Sequence, residues 1–127
     1  MLITPIYAAI LGLTFVILSL LTIRLRRKFK IALGDDKNQQ LTRAIRVHSN
    51  FAEYVPMALI LIYMNESIGA PVFLIHILGL SLLIGRLAHA WGVSQPEENF
   101  KFRVFGMSAT FNTLIVSSGY ILISQLL

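Results

Sequence analysis

The chain has 127 residues, of which 56% are hydrophobic and 13% are charged, and its formal net charge at pH 7 is +5. This length predicts a single domain spanning residues 1–127, and the composition is too apolar for an ordinary soluble domain, so it favours an integral membrane protein. Cysteine is absent, which excludes disulfides and any thiol nucleophile supplied by the chain itself.

The first predicted helix covers about residues 4–26. The stretch Met1–Ile23 contains no charged side chain, and a helix needs ~20 apolar residues to cross the hydrocarbon of a bilayer. Thr4 is the predicted N-cap, followed by Pro5 at the first helical position. A basic cluster follows the apolar stretch where a signal peptide would have a small-residue cleavage site, so we expect this segment to be retained.

A basic loop is predicted to follow, because residues 24–43 hold seven of the eleven Lys and Arg residues. Helix two is predicted over about 40–64 and helix three over about 72–91. Helix four is predicted over about 104–126, in a terminal stretch without a charged side chain. The expected fold is therefore an all-α, integral membrane four-helix bundle with up-down topology.

The distribution of charge predicts the orientation of this bundle. All eleven Lys and Arg residues lie in or beside the first and third loops. By the positive-inside rule, these two loops are expected to be cytoplasmic and both termini to lie on the other side. The charge therefore indicates contact with lipid headgroups, and a nucleic-acid partner is not expected.

A polar stripe is predicted at the start of helix two. Arg46, Asn50 and Glu53 fall within about 60° of one another on a helical wheel, and Arg43 lies on the same side one turn earlier. An unpaired carboxylate in hydrocarbon costs several kcal/mol. Glu53 is therefore expected to meet Arg46, Arg43, Arg86 or a polar ligand.

Further cations are predicted at the depth of this stripe. Arg86 and His89 are three residues apart and so share a face of helix three, and Arg103 opens helix four. Only one carboxylate, Glu53, is expected in this layer. An excess of cations over carboxylates predicts an anionic ligand, whereas no metal site or nucleophile motif is indicated.

The stretch RAIRVHSNFAEYVP at residues 43–56, with its R-x-x-R-x-x-x-N-x-x-E-Y-x-P spacing, resembles the helix-two signature of the MAPEG family, the membrane-associated proteins in eicosanoid and glutathione metabolism. GRLAH at residues 85–89 resembles the family's helix-three segment, and RLRRKF at residues 24–29 resembles the end of its helix one. The resemblance implies a homotrimer of four-helix subunits that bind glutathione at the subunit interfaces, open to the cytoplasmic leaflet.

The resemblance also implies a role for each matching residue. Arg46 would bind a carboxylate of glutathione, Glu53 its γ-glutamyl ammonium, and Asn50 and Tyr54 would form hydrogen bonds. Arg103 would stand near the sulfur as the catalytic residue, since an adjacent guanidinium favours the thiolate of a thiol whose free pKa is about 8.5. The implied glutathione-binding set is Arg43, Arg46, Asn50, Glu53, Tyr54, Arg86 and His89.

Two functions are compatible with the sequence. The first is a glutathione-dependent transferase or peroxidase in a bacterial inner membrane, which activates the thiolate for attack on a lipophilic electrophile dissolved in membrane lipid. The alternative is a non-catalytic MAPEG-like protein that binds a lipid or an anionic metabolite. A small proton-coupled exporter ranks last, because its carboxylate would be expected in helix one. Val104 stands where the prostaglandin E synthase type has serine, which argues against eicosanoid isomerase chemistry.

Overall fold

In a computed structural model, which describes residues 1–127, the chain forms four α-helices and no strand. The helices are α1 (Thr4–Phe29), α2 (Gln39–Ser67), α3 (Val72–Ser94) and α4 (Phe100–Leu126). Helices α1, α3 and α4 are long and apolar enough to cross a membrane. Helix α2 has 29 residues and spans about 43 Å at 1.5 Å per residue, but its polar stripe lowers its hydropathy. The predicted all-α membrane bundle is confirmed.

The start of α1 is capped by a side chain from α2, and the predicted role of Thr4 as N-cap is wrong. Ile3 occupies the N-cap position and no side chain of its own segment caps the helix. The Glu66 carboxylate, in the last turn of α2, accepts hydrogen bonds from the backbone N–H groups of Ile3 and, at 2.8 Å, of Thr4. A carboxylate at a helix N-terminus also interacts favourably with the helix dipole. The contact requires α1 and α2 to run antiparallel.

Two further hydrogen bonds establish the up-down arrangement of the other helices. Near the start of α2, Arg43 donates from Nη1 to the carbonyl of Val93 near the end of α3, at 3.1 Å. Near the end of α2, the amide of Asn65 donates to the carbonyl of Ser117 in the second half of α4, also at 3.1 Å. Helix α3 is therefore antiparallel to α2, and α4 is parallel to it.

Each helix extends three or four residues beyond the predicted range at one end. Helix α1 continues to Phe29 and ends where Lys30 adopts a left-handed conformation with φ of 56°, a common way for a helix to terminate. Helix α4 begins at Phe100 because the Asn99 side chain accepts a hydrogen bond from the backbone N–H of Lys101 at 3.0 Å. Side-chain capping thus fixes the first residue of α4.

The core of the bundle lies between α1, α2 and α3, where Leu11, Ala58 and Leu82 are fully buried.

The outer surface of the bundle is also apolar. Only 11% of the most hydrophobic span of α1 is buried, and large side chains such as Leu13 and Leu20 are exposed. An apolar exterior of this extent fits a lipid environment and not water.

Helices α3 and α4 approach closely at a pair of glycines. A Cβ on Gly106 would lie only 2.6 Å from Cβ of His89, and a Cβ on Gly85 would lie 2.8 Å from Cβ of Ala109. Neither position accommodates a side chain without displacing the other helix. This contact fixes His89 on α3 beside the first turns of α4, which carry Arg103.

Candidate functional site

The polar face of α2 borders a cavity at the end of the bundle where α2 and α4 begin and α3 ends. Arg46, Ser49, Asn50 and Glu53 all line this cavity. Their spacing keeps them on one side of the helix, because residues three or four apart lie one above the other. The stripe predicted from the sequence is therefore a continuous wall of a cavity.

The other walls come from α3 and α4. His89 and Val93 of α3, with Arg103 and Met107 of α4, complete the lining, and the cavity measures about 360 Å³. We call it the polar cavity. Its position follows from the close approach of α3 and α4, which places His89 and Arg103 in the same layer.

The polar cavity carries charges of both signs. Arg46 and Arg103 supply positive charge and Glu53 supplies negative charge. Within the chain Glu53 forms no ion pair, since the two ion pairs present both involve Glu98. Of the partners expected for Glu53, none of Arg43, Arg46 and Arg86 therefore pairs with it in the chain, and its carboxylate faces the polar cavity.

Arg86 lies behind the wall of the cavity and holds one of its residues. Its side chain is only 1% exposed, and its Nη1 donates to Oδ1 of Asn50 at 2.8 Å. Its guanidinium also lies 6.0 Å from the centre of the Tyr54 ring, and Nη2 lies 3.8 Å from the sulfur of Met107. Because Oδ1 of Asn50 accepts a hydrogen bond from Arg86, the amide NH₂ of Asn50 remains available to donate a hydrogen bond.

A second carboxylate, Glu98, lies in this layer, and the expectation that Glu53 is the only one is wrong. The Glu98 side chain is only 5% exposed, and its Oε2 accepts hydrogen bonds from Nη1 of Arg43 at 3.0 Å and Nη2 of Arg103 at 2.8 Å. Its Oε1 lies 2.6 Å from Nε of Arg103, without the alignment of a hydrogen bond. Glu98 therefore fixes the position of Arg103 and neutralises part of its charge.

An adjoining cavity, also about 360 Å³, extends the site toward the loop before α4. It shares Arg46, Val93 and Arg103 with the polar cavity and adds Arg43 and Glu98. The two cavities together form one cleft with three arginines and two carboxylates along its walls.

The structure brings most of the predicted residues together. Of the eight, five line the polar cavity, and Arg43 lines the adjoining cavity but not the polar one. Tyr54 and Arg86 line neither; the Tyr54 ring packs edge-on against Phe111. Seven residues of the cleft were not predicted from the sequence. The five that line the polar cavity are Arg46, Asn50, Glu53, His89 and Arg103, and the seven not predicted are Gln39, Thr42, Ser49, Val93, Glu98, Phe100 and Met107.

The chemistry of the cleft favours a ligand with more than one charged group. Guanidinium groups form strong, directional hydrogen bonds with carboxylates, and a carboxylate such as Glu53 accepts hydrogen bonds from an ammonium. No group of three or more His, Asp or Glu side chains is placed to hold a metal ion. The arrangement suits recognition of a small zwitterionic molecule with an excess of negative charge.

Similarity to known proteins extends over the whole bundle. The profile of the MAPEG family matches residues 4–123. Two relatives, each named inner membrane protein YecN, come from Escherichia coli strain K12 and Escherichia coli O6:H1. Each is 37% identical to the chain over 114 residues, which cover 90% of this chain and 86% of the relative. No solved structure is significantly similar to the chain.

Proposed function

The chain belongs to the MAPEG family, and from this premise we propose that it binds glutathione in the polar cavity and activates the thiol for attack on hydrophobic electrophiles. The observation that carries the proposal is the convergence of Arg46, Asn50, Glu53 and Arg103 on one cavity. Glutathione has two carboxylates, one ammonium and one thiol, so its recognition needs cations and an anion within a short distance of each other.

The size and the polar groups of the cleft fit this ligand. The polar cavity measures about 360 Å³, which lies within the ~300–1,000 Å³ typical of small-molecule sites. In the proposed complex Arg46 binds a carboxylate of glutathione, and Glu53 accepts hydrogen bonds from the γ-glutamyl ammonium. The NH₂ of Asn50, which Arg86 holds through Oδ1, donates to the peptide. His89, which lines the same cavity, Arg43, which lines the adjoining one, and Tyr54, which lines neither, complete the proposed binding set.

Arg103 is the proposed catalytic residue. A guanidinium beside the sulfur stabilises the thiolate, which is the nucleophilic form of a thiol. In transfer, the thiolate attacks an electrophilic carbon, a C–S bond forms, and the leaving group departs with its bonding electron pair. In peroxidase chemistry, two glutathione molecules are oxidised to the disulfide while a hydroperoxide is reduced to an alcohol and water.

In the proposed orientation of the protein in the membrane, the two substrates reach the cleft from different phases. The chain is an integral membrane protein, and we place it in a bacterial inner membrane, as its relatives are named. With the first and third loops in the cytoplasm, the cleft opens at the cytoplasmic leaflet, where glutathione is dissolved in water and the electrophile in lipid. The proposed assembly is the homotrimer implied by the family.

One observation favours the non-catalytic alternative. The contact with Glu98 neutralises part of the charge on Arg103, and a neutralised guanidinium stabilises a thiolate less. A protein with this feature could bind glutathione or another anionic metabolite without activating it. Binding and activation must therefore be measured separately.

Isothermal titration calorimetry of purified protein with glutathione tests the binding. We expect Arg46→Ala to weaken binding by about 10- to 150-fold, which corresponds to the ~1.5–3 kcal/mol of a hydrogen bond to a charged group. The matched control is Arg27→Ala, which removes an exposed cation at the end of α1 that lines neither cavity. Absence of binding by the unaltered protein, or equal losses in both variants, would contradict the proposal. Conjugation of a chlorodinitrobenzene then distinguishes a transferase from a binding protein.

A further inference from the structure

We propose that the groove between the end of α1 and the start of α2 binds the phosphate of an anionic phospholipid. The groove measures about 300 Å³, and three basic side chains line it: Arg24 and Lys28 from α1, and Arg43 from α2. Arg24 and Lys28 are four residues apart, so they lie on the same face of α1. The remaining lining residues are Leu21, Leu25, Gln40, Ala44 and Ser94.

The positive charge of this groove is largely uncompensated. No acidic residue lines it, and neither Arg24 nor Lys28 takes part in an ion pair. The Lys28 ammonium instead lies 5.1 Å from the centre of the Phe29 ring. Arg43 contacts the Glu98 carboxylate through Nη1 alone. Three cations that share a groove repel one another, and an anion that bridges them removes this repulsion.

The depth of the groove identifies the anion as part of an amphiphile. Arg24 is the first charged residue after the uncharged stretch Met1–Ile23, so it lies where the hydrocarbon gives way to the headgroups. Leu21 lies one turn nearer the hydrocarbon and lines the same groove, as does Leu25. A phospholipid fits both features, with its phosphate beside the cations and its glycerol and acyl carbons beside the leucines. A soluble phosphate has no apolar part that would contact these two leucines.

This site overlaps the proposed glutathione site only at Arg43. The groove shares no residue with the polar cavity and only Arg43 with the adjoining cavity. Arg43 therefore stays intact in the test. The two residues to replace are Arg24 and Lys28, which belong to the groove alone.

A lipid titration in neutral detergent, read by native mass spectrometry, tests the site with phosphatidylglycerol as the probe. The variant is Arg24→Gln with Lys28→Gln. The control is Arg27→Gln with Lys30→Gln, which removes the same charge from exposed positions at the same helix end but outside the groove. We expect one saturable lipid per subunit in the unaltered protein. We expect binding to be about 30-fold weaker in the variant, from ~1 kcal/mol for each of two lost hydrogen bonds to the phosphate, and nearly unchanged in the control.

Four outcomes would overturn the proposal. Equal weakening in the variant and the control would mean general attraction to a basic surface. Equal binding of phosphatidylethanolamine, whose headgroup has no net charge, would show that the groove does not select lipids with a net negative charge. Displacement of the lipid by glycerol phosphate at a similar concentration would identify a soluble phosphate compound as the ligand. Weak binding in the charge-preserving variant Arg24→Lys with Lys28→Arg, while its circular dichroism remains unchanged, would assign the effect to packing.

Discussion

The substitution Glu53→Gln is expected to weaken glutathione binding without destabilising the bundle. Glu53 lines the polar cavity and forms no ion pair within the chain, so the amide removes no contact that holds the four helices together. In the proposed complex its carboxylate accepts hydrogen bonds from the glutathione ammonium. Such charged hydrogen bonds contribute ~1.5–3 kcal/mol each. Loss of one predicts an affinity about 10- to 150-fold lower, measured by calorimetry at neutral pH.

The substitution Glu66→Gln is the matched control, because it makes the same chemical change on the same helix. Glu66 caps the start of α1 through Ile3 and Thr4 and lies at the other end of the bundle from the cavity. We expect this variant to bind glutathione normally and to unfold more easily, by about 1 kcal/mol for the lost charge at a helix N-terminus. The free energy of unfolding is measured by denaturant titration in detergent.

Comparison of the two variants shows whether Glu53 binds the ligand or holds the bundle together. If Glu53→Gln binds glutathione as tightly as the unaltered protein, Glu53 does not contact the ammonium. If Glu53→Gln instead lowers the free energy of unfolding as much as Glu66→Gln does, its carboxylate has a structural partner and is not reserved for a ligand.

Three further predictions concern the surroundings of the cavity. Glu98→Gln removes the charge that neutralises Arg103, so ultraviolet titration is expected to show a larger thiolate fraction of bound glutathione; an unchanged fraction would contradict this role. Asn50→Ala leaves the buried Arg86 without its oxygen acceptor, and denaturant titration is expected to show a loss of about 1–3 kcal/mol in unfolding free energy. Gly106→Ala adds a Cβ 2.6 Å from a carbon of α3 and is expected to cost about 1–3 kcal/mol in the same assay; no loss would mean that α3 and α4 separate freely.

The sequence was sufficient to predict the bundle and most of the polar cavity, for a physical reason. Charge is costly in hydrocarbon, so residues such as Arg46 and Glu53 stand out against an apolar background. Helical periodicity then places them on one face without knowledge of the fold. That these residues lie beside Arg103 was expected because the polar residues of helices two, three and four were all predicted at the same depth in the membrane.

The features that could not be predicted depend on loop residues or on contacts between segments that are distant in sequence. Glu98 was not predicted because it lies in the loop before α4, outside the helical stretches whose periodicity places the other residues, although it lies only five residues before Arg103. The burial of Arg86 depends on how α3 packs against α2 and α4. The cap that Glu66 provides for α1 joins residues more than sixty positions apart, which no local pattern reveals.

Binding and activation of glutathione in the polar cavity are tested most directly by ultraviolet spectroscopy of the purified protein mixed with glutathione at neutral pH. We expect a thiolate absorbance that saturates with glutathione concentration and disappears in Arg103→Leu while calorimetric binding persists. Glutathione that binds and remains a thiol in the unaltered protein would contradict activation, and failure to bind would contradict the site itself.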